Sequence, residues 1–306
     1  MGILRYEHNG RIALGVRDGD SIIDFSQAAP KLPSDVSDLL RGGPDALAAL
    51  AAAAKASKTR IPLSSVKILP PAMSAGKIIC LGLNYVDHAA EGGRTPPEYP
   101  MIFFRAATSL VGHGAPMIRP NCSDQLDYEA ELVAFIGKKA RHVSREDALS
   151  HVAGYSVFND GSIRDYQRKT TQWTVGKNFD GTGGFGPEFI PADALPPGGS
   201  GLKIQSRLNG QVMQNANTKD MVFSVAETIH LMSECMTLEP GDLLVMGTPG
   251  GVGAARKPPV FMKPGDVCEI EIESVGLLRN PIEQESRGHA RDAADQAKPK
   301  AAVQRA

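Results

Sequence analysis

Leu126-Asp-Tyr-Glu-Ala-Glu-Leu-Val-Ala-Phe-Ile-Gly137 reads as a β-strand with carboxylates at its start and apolar side chains behind them. Strand side chains alternate faces, so Glu129 and Glu131 point the same way, roughly 6–7 Å apart, and Asp127 extends the row. Leu132, Val133, Phe135 and Ile136 follow as an apolar run, which points to a buried strand. Neighbouring like charges resist burial unless something positive lies between them. Two carboxylates plus a third from elsewhere make an all-oxygen site, suited to magnesium, manganese or calcium rather than zinc. The third candidate is Asp160, which closes Gly154-Tyr-Ser-Val-Phe-Asn-Asp160. The spacing alone admits equally an edge strand with a solvated acidic face.

Outward from this strand, the segments 77–82, 101–104, 153–158 and 267–275 are also short, β-rich and punctuated by Gly and Pro. Helical periodicity is confined chiefly to 145–152 and 224–236. Many short strands with few helices predict a β-rich α+β domain rather than a βαβ alternation. Residues 1–70 read as a small α/β unit. Strands at 11–16 and 21–25 flank the Asp18-Gly19-Asp20 turn, and one or two helices follow between Ser34 and Lys58. Two prolines within 69–76 mark a linker. The expected organisation is therefore 1–70, a catalytic metal-binding domain over 71–283, and a polar flexible tail over 284–306.

The chain has 306 residues with 33 Lys+Arg against 34 Asp+Glu, a net charge of −1 that favours neither nucleic acid nor an acidic membrane surface. The longest apolar stretch, Ala46 to Ala54, is far short of a membrane span, and the first residues show no apolar signal region. Cys80, Cys122, Cys235 and Cys268 form no Cys-x-x-Cys pair. That usage suits a reducing compartment, and a cytoplasmic location is expected.

Two glycine-rich stretches fail the tests for nucleotide binding. Gly181-Thr-Gly-Gly-Phe-Gly186 runs into Pro187 instead of opening a helix, and a turn is expected there. Gly247-Thr-Pro-Gly-Gly-Val-Gly253 has no Gly-Lys-Ser/Thr behind it. Neither a Gly-x-Ser-x-Gly elbow nor a His-Glu-x-x-His pair occurs.

Two further clusters carry chemistry. Asn84-Tyr-Val-Asp-His-Ala-Ala-Glu91 places His88 and Glu91 at i, i+3, where a carboxylate can fix an imidazole tautomer and raise its basicity. A surface helix in water explains the same spacing. Residues 159–180 hold the only tryptophan and a dense set of donors, with Arg164 and Gln167 on one helical face. They suit a carboxylate-bearing substrate, or else a solvated cationic helix.

In order, the chain carries GLNYVDHAAE, LDYEAELVAFIG, GYSVFNDGSIRDYQ, GKNFD, LNGQVMQ, LEPGDLLVMGTPGGVG and KPGDVCEIEIESVGLLRNP. This series, over roughly 77–282, closely resembles the fumarylacetoacetate hydrolase family. The resemblance implies a mixed β-sandwich roll, usually a homodimer, with one divalent ion, Mg2+ or else Mn2+ or Ca2+, on Glu129, Glu131 and Asp160. It further implies a mobile lid carrying His88 and Glu91, a catalytic Lys177, and a keto-acid pocket lined by Tyr85, Arg105, Arg164, Gln167 and Thr248. The implied reaction is hydrolytic C–C cleavage of an acylpyruvate-like diketo acid through an enolate, as in aromatic catabolism. Oxaloacetate-type decarboxylation and hydroxymuconate-type isomerisation or tautomerisation are the alternatives on the same site. Arg105 stands where the family often has Lys, Gly161 follows Asp160 where a larger residue is usual, and Gly92-Gly93 adds flexibility beside the lid.

Overall fold

A computed structural model describes residues 2–286, and it has the β-rich α+β architecture expected. Its centre is a mixed sheet. Ala130–Ile136 lies between Val152–Asn159 and Leu243–Val245, and beyond the latter come Ile78–Gly82 and the edge strand Met101–Phe104. On the other side Val152–Asn159 pairs with Gly183–Pro191. A five-stranded sheet packs across one face, ordered Gln211–Asn217, Lys203–Leu208, Val267–Ile272, Gly276–Gln284 and Met117–Arg119.

The unbroken apolar run after Glu131 now has a cause. Leu132 and Ala134 share one core cluster with Ile204, Ile270 and Leu278 of the second sheet. Val133 and Phe135 belong to a second cluster with Val36, Leu39, Leu40 and Leu50 of the N-terminal helices. A strand covered on both faces has no solvent side on which to alternate.

The N-terminal residues extend this same sheet. Ile3–His8, a strand the sequence reading passed over, pairs with Arg11–Asp18 on one side and with Gly183–Pro191 on the other, Ile3 opposite Phe189. The helices Val36–Arg41 and Gly43–Ala56 then cover the second face, the first capped by Asp35, whose Oδ1 accepts the Ser37 N–H at 2.9 Å. Of the tail expected over 284–306, Gln284 ends the last strand, and everything beyond Ser286 lies outside the described residues. Among the described residues no helix is long and apolar enough to cross a membrane.

Two local expectations are corrected. The glycines taken as a turn at 181–186 lead directly into Gly183–Pro191, a buried strand inside the large sheet. Here glycine serves close approach: a Cβ on Gly184 would stand 2.7 Å from Asn280 Oδ1 of the facing sheet. The helix expected at 145–152 shrinks to a 3-10 turn, Ala148–His151, because Val152 opens a strand paired on both sides. At 224–236 the helix forms as Val225–Cys235, with Ser224 Oγ accepting the Glu227 N–H at 3.2 Å. The strand read over 267–275 ends at Ile272 and turns back as Gly276–Gln284.

Candidate active site

Register assembles the acidic cluster. Ala130 pairs with Asn159 and Glu131 with Phe158, so the residue after Asn159 falls beside the start of the acidic strand. The Asp160 N–H donates to Glu129 O at 2.9 Å, and Asn159 Oδ1 accepts the Glu129 N–H at 3.0 Å. Glu129, Glu131 and Asp160 are all buried, and one carboxylate oxygen from each lies within 4.8 Å of the others. Asp127 leaves the row expected of it. Leu126–Asp127 is a separate short strand on Ser162–Ile163, which breaks the face alternation before Glu129. Its carboxylate instead accepts the N–H groups of Gly253 (2.8 Å) and Ala254 (2.9 Å) and Arg164 Nε at 2.8 Å.

Cations surround the cluster unevenly. Lys177 Nζ, buried, bridges Glu129 Oε2 (2.6 Å) and Asp160 Oδ2 (2.5 Å). Arg164 Nη1 lies 2.7 Å from Glu129 Oε1 and donates to Gln167 Oε1 at 2.9 Å, while its buried Nη2 has no partner among the described residues. Burial alone would raise the Glu129 carboxyl, but Lys177 and then Arg164 overcome it and hold the group well below the usual carboxylate range. Burial opposes the Lys177 ammonium too, yet Asp160 and Glu129 keep its proton on more firmly than usual.

Glu131 is the exception. Its Oε2 accepts the Gly247 N–H at 2.6 Å, and it has no salt-bridge partner among the described residues. Burial, then Asp160 and Glu129, push its carboxyl well above the usual range. A buried carboxylate facing two others without a cation of its own is where a divalent ion fits, and three oxygen donors at this spacing can hold one.

Above the cluster, the short helix Val86–Glu91 brings His88 Nδ1 to 2.7 Å from Glu91 Oε1. Glu91 Oε2 accepts the Gly251 N–H at 2.7 Å, tying this helix to the glycine-rich loop. With its Nδ1 hydrogen given to the carboxylate, the imidazole keeps Nε2 as the basic atom. His88, Glu91, Glu129, Glu131, Arg164, Gln167, Lys177 and Thr248 line one cavity of about 720 Å³, whose wall also includes Arg94, Arg168, Thr170, Thr171 and Trp173. Arg168 and Trp173 belong to the donor-rich stretch marked in the sequence, whereas nothing in the local pattern of Arg94, Thr170 and Thr171 separates them from solvated surface. Thr248 Oγ1 accepts Gln214 Nε2 at 2.7 Å. Asp160, Tyr85 and Arg105 stand outside the lining: Asp160 is fully buried, Tyr85 is buried with a hydroxyl unpartnered among the described residues, and Arg105 lies behind Asp160. A larger cavity, about 1240 Å³, beside Leu69, His113 and Asp180 reaches none of the three carboxylates.

Comparison with known proteins shows the family and the fold. The family model described as "Fumarylacetoacetate (FAA) hydrolase C-terminal" matches residues 77–283. A Xenopus laevis protein named "Oxaloacetate tautomerase fahd2, mitochondrial" is 41% identical over 274 residues, covering 89% of this chain and 86% of that one. Among solved structures, a fumarylacetoacetate hydrolase from psychrophilic Exiguobacterium antarcticum superposes with a TM-score of 0.80 at 33% identity, covering 93% of this chain and all of that one. A maleylpyruvate hydrolase from Sphingobium sp. SYK-6, in complex with manganese(II) ion and pyruvate, gives a TM-score of 0.77 at 29% identity over 94% of this chain and all of that one.

Proposed function

Since this chain belongs to the fumarylacetoacetate hydrolase family, we propose that it is a divalent-metal-dependent enzyme that interconverts the keto and enol forms of an oxaloacetate-type 2-oxo acid. The observation that carries the reading is the His88–Glu91 pair on the wall of a cavity that also exposes Glu129 and Glu131. Glu129, Glu131 and Asp160 would hold the ion, Mg2+ or Mn2+, and the chemistry it would supply there is Lewis-acid polarisation of a keto group. His88 Nε2 takes a proton from the carbon beside the keto group, and Glu91 keeps the ring in the right tautomer. The keto oxygen takes a proton from water while His88 later returns its own to water, so one proton moves and no fragment leaves. Lys177 supplies positive charge beside the oxygen on which negative charge develops. Arg164, with its unpartnered Nη2, and Gln167 hold a substrate carboxylate.

The charges suit a dianion. In and behind the wall, Glu91, Asp127, Glu129, Glu131 and Asp160 face Arg94, Arg105, Arg164, Arg168 and Lys177, five acids against five bases. A divalent ion leaves the site two charges positive with His88 as the free base, which matches a diacid. Arg168→Met is therefore expected to lower kcat/KM about 10-fold for a 2-oxo diacid and to leave that for a monocarboxylate 2-oxo acid unchanged, as steady-state kinetics on the two would show.

Hydrolysis of an acylpyruvate-like diketo acid, first in order from the motifs, becomes the second reading. His88 and Glu91 are equally placed to activate a water, and the maleylpyruvate hydrolase shares the fold. It ranks second because the 41% identical relative is named a tautomerase. The deciding assay follows ultraviolet loss of the oxaloacetate enol with and without a chelator, and analyses products by mass spectrometry. Metal-dependent equilibration without a new fragment supports the proposal; carbon dioxide, or two organic acids from a diketo acid, overturns it.

A further inference from the structure

Beside the acidic cluster, Arg105 and Gly161 meet in space. The side chains of Arg105 and Asp160 are both 0% exposed. Arg105 Nη1 donates to Asp160 Oδ1 at 2.5 Å and to Gly161 O at 3.1 Å, Nη2 donates to Thr182 Oγ1 at 3.1 Å, and Nε donates to Ser109 Oγ at 3.2 Å. The guanidinium also lies over Phe158, 5.6 Å from the ring centre. Bare backbone makes the room: a Cβ on Gly183 would stand 2.7 Å from Arg105 Nη2, and one on Gly161 would stand 1.9 Å from Thr182 O.

We infer that Arg105 is a positioning residue for Asp160, and that its fork, seated on four acceptors, sets how tightly this chain holds its divalent ion. The inference rests on the metal reading above. A carboxylate can turn about its Cβ–Cγ bond. Arg105 fixes Oδ1, so Oδ2 stays on the side of Glu129, where Lys177 Nζ reaches both. The guanidinium also compensates Asp160, a fully buried charge beside two other carboxylates. A lysine carries the same charge on a single nitrogen and has no planar fork with which to hold Oδ1, Gly161 O, Thr182 and Ser109 at once. Arg105 and Asp160 both lie behind the cavity wall, and the Arg105 guanidinium meets the Asp160 carboxylate directly rather than substrate.

The test is titration of metal-stripped full-length protein with Mn2+, read calorimetrically and by the electron paramagnetic resonance signal of free Mn2+. Arg105→Lys is expected to weaken Mn2+ binding about 10- to 100-fold, the usual cost of losing a partner that orients a metal ligand. Activity lost at low Mn2+ should return as Mn2+ is raised, which a general loss of fold would not allow. Thr182→Val keeps the arginine and removes one acceptor, and a smaller weakening in the same direction is expected; it also serves if Arg105→Lys fails to fold. Wild-type affinity in these variants overturns the inference, as does a fall in activity that saturating Mn2+ does not restore. A wild-type protein that binds no Mn2+ takes down the metal reading itself, an outcome distinct from either.

Discussion

Glu131→Gln is expected to give a folded protein that no longer takes up Mg2+ or Mn2+ and shows no activity above background. Among the three clustered carboxylates, Glu131 alone has no cationic partner among the described residues, so its charge is the one the protein itself leaves uncompensated. Glutamine keeps the shape, and its amide oxygen can still accept the Gly247 N–H that Glu131 takes at 2.6 Å. The variant removes a ligand atom's charge and little else, so metal affinity should fall by more than the roughly 10- to 100-fold that loss of an outer partner costs. Stability separates this from damage. With chelator present, the variant should melt at or above the wild-type temperature, because a repelled buried carboxyl has been neutralised. Adding Mn2+ should raise the melting temperature of the wild type alone, since only a protein that binds the ion gains stability from it. A metal-dependent shift or full activity in Glu131→Gln would sink the assignment of the ion.

The pair Glu129 and Glu131 was legible because alternation along an extended chain is local, even though Glu129 immediately precedes the strand Ala130–Ile136 rather than lying in it. Asp160 was legible only as a carboxylate at the end of another strand. What makes it the third member is the pairing of Ala130 with Asn159, a long-range register that no local pattern encodes. The same limit explains Asp127, whose face depends on a break between two strands, and Gly183–Pro191, whose glycines look like a turn until a facing sheet presses on them. His88 and Glu91 lie within one helical turn and were found. Glu91's second bond, to Gly251 N–H, spans 160 positions and was not. Arg105 shows the limit most clearly. Its four acceptors come from three separate stretches of chain, so its place behind Asp160 emerges only in the fold.

His88→Asn is expected to lower kcat for keto–enol interconversion about 10²- to 10⁴-fold, the usual contribution of a positioned general base, while Mn2+ binding stays at the wild-type level. His88 lines the cavity and is not among the three clustered carboxylates, which is why the two properties should separate. Glu91→Gln refines the point. Glutamine can present its oxygen to the Gly251 N–H, preserving the tie at 2.7 Å, but offers His88 Nδ1 no carboxylate. The imidazole then loses the partner that keeps Nε2 basic, so kcat should fall, though less than in His88→Asn, with KM little changed. Equal losses in both variants together with a raised KM would point to the loop tie rather than to proton transfer. The reactions part company here as well. Decarboxylation needs no base to remove a carbon-bound proton, so carbon dioxide released from oxaloacetate by His88→Asn at the wild-type rate would identify the protein as a decarboxylase. Loss of isomerisation with metal binding intact, and no new fragment from either protein, leaves His88 as the group that moves the proton.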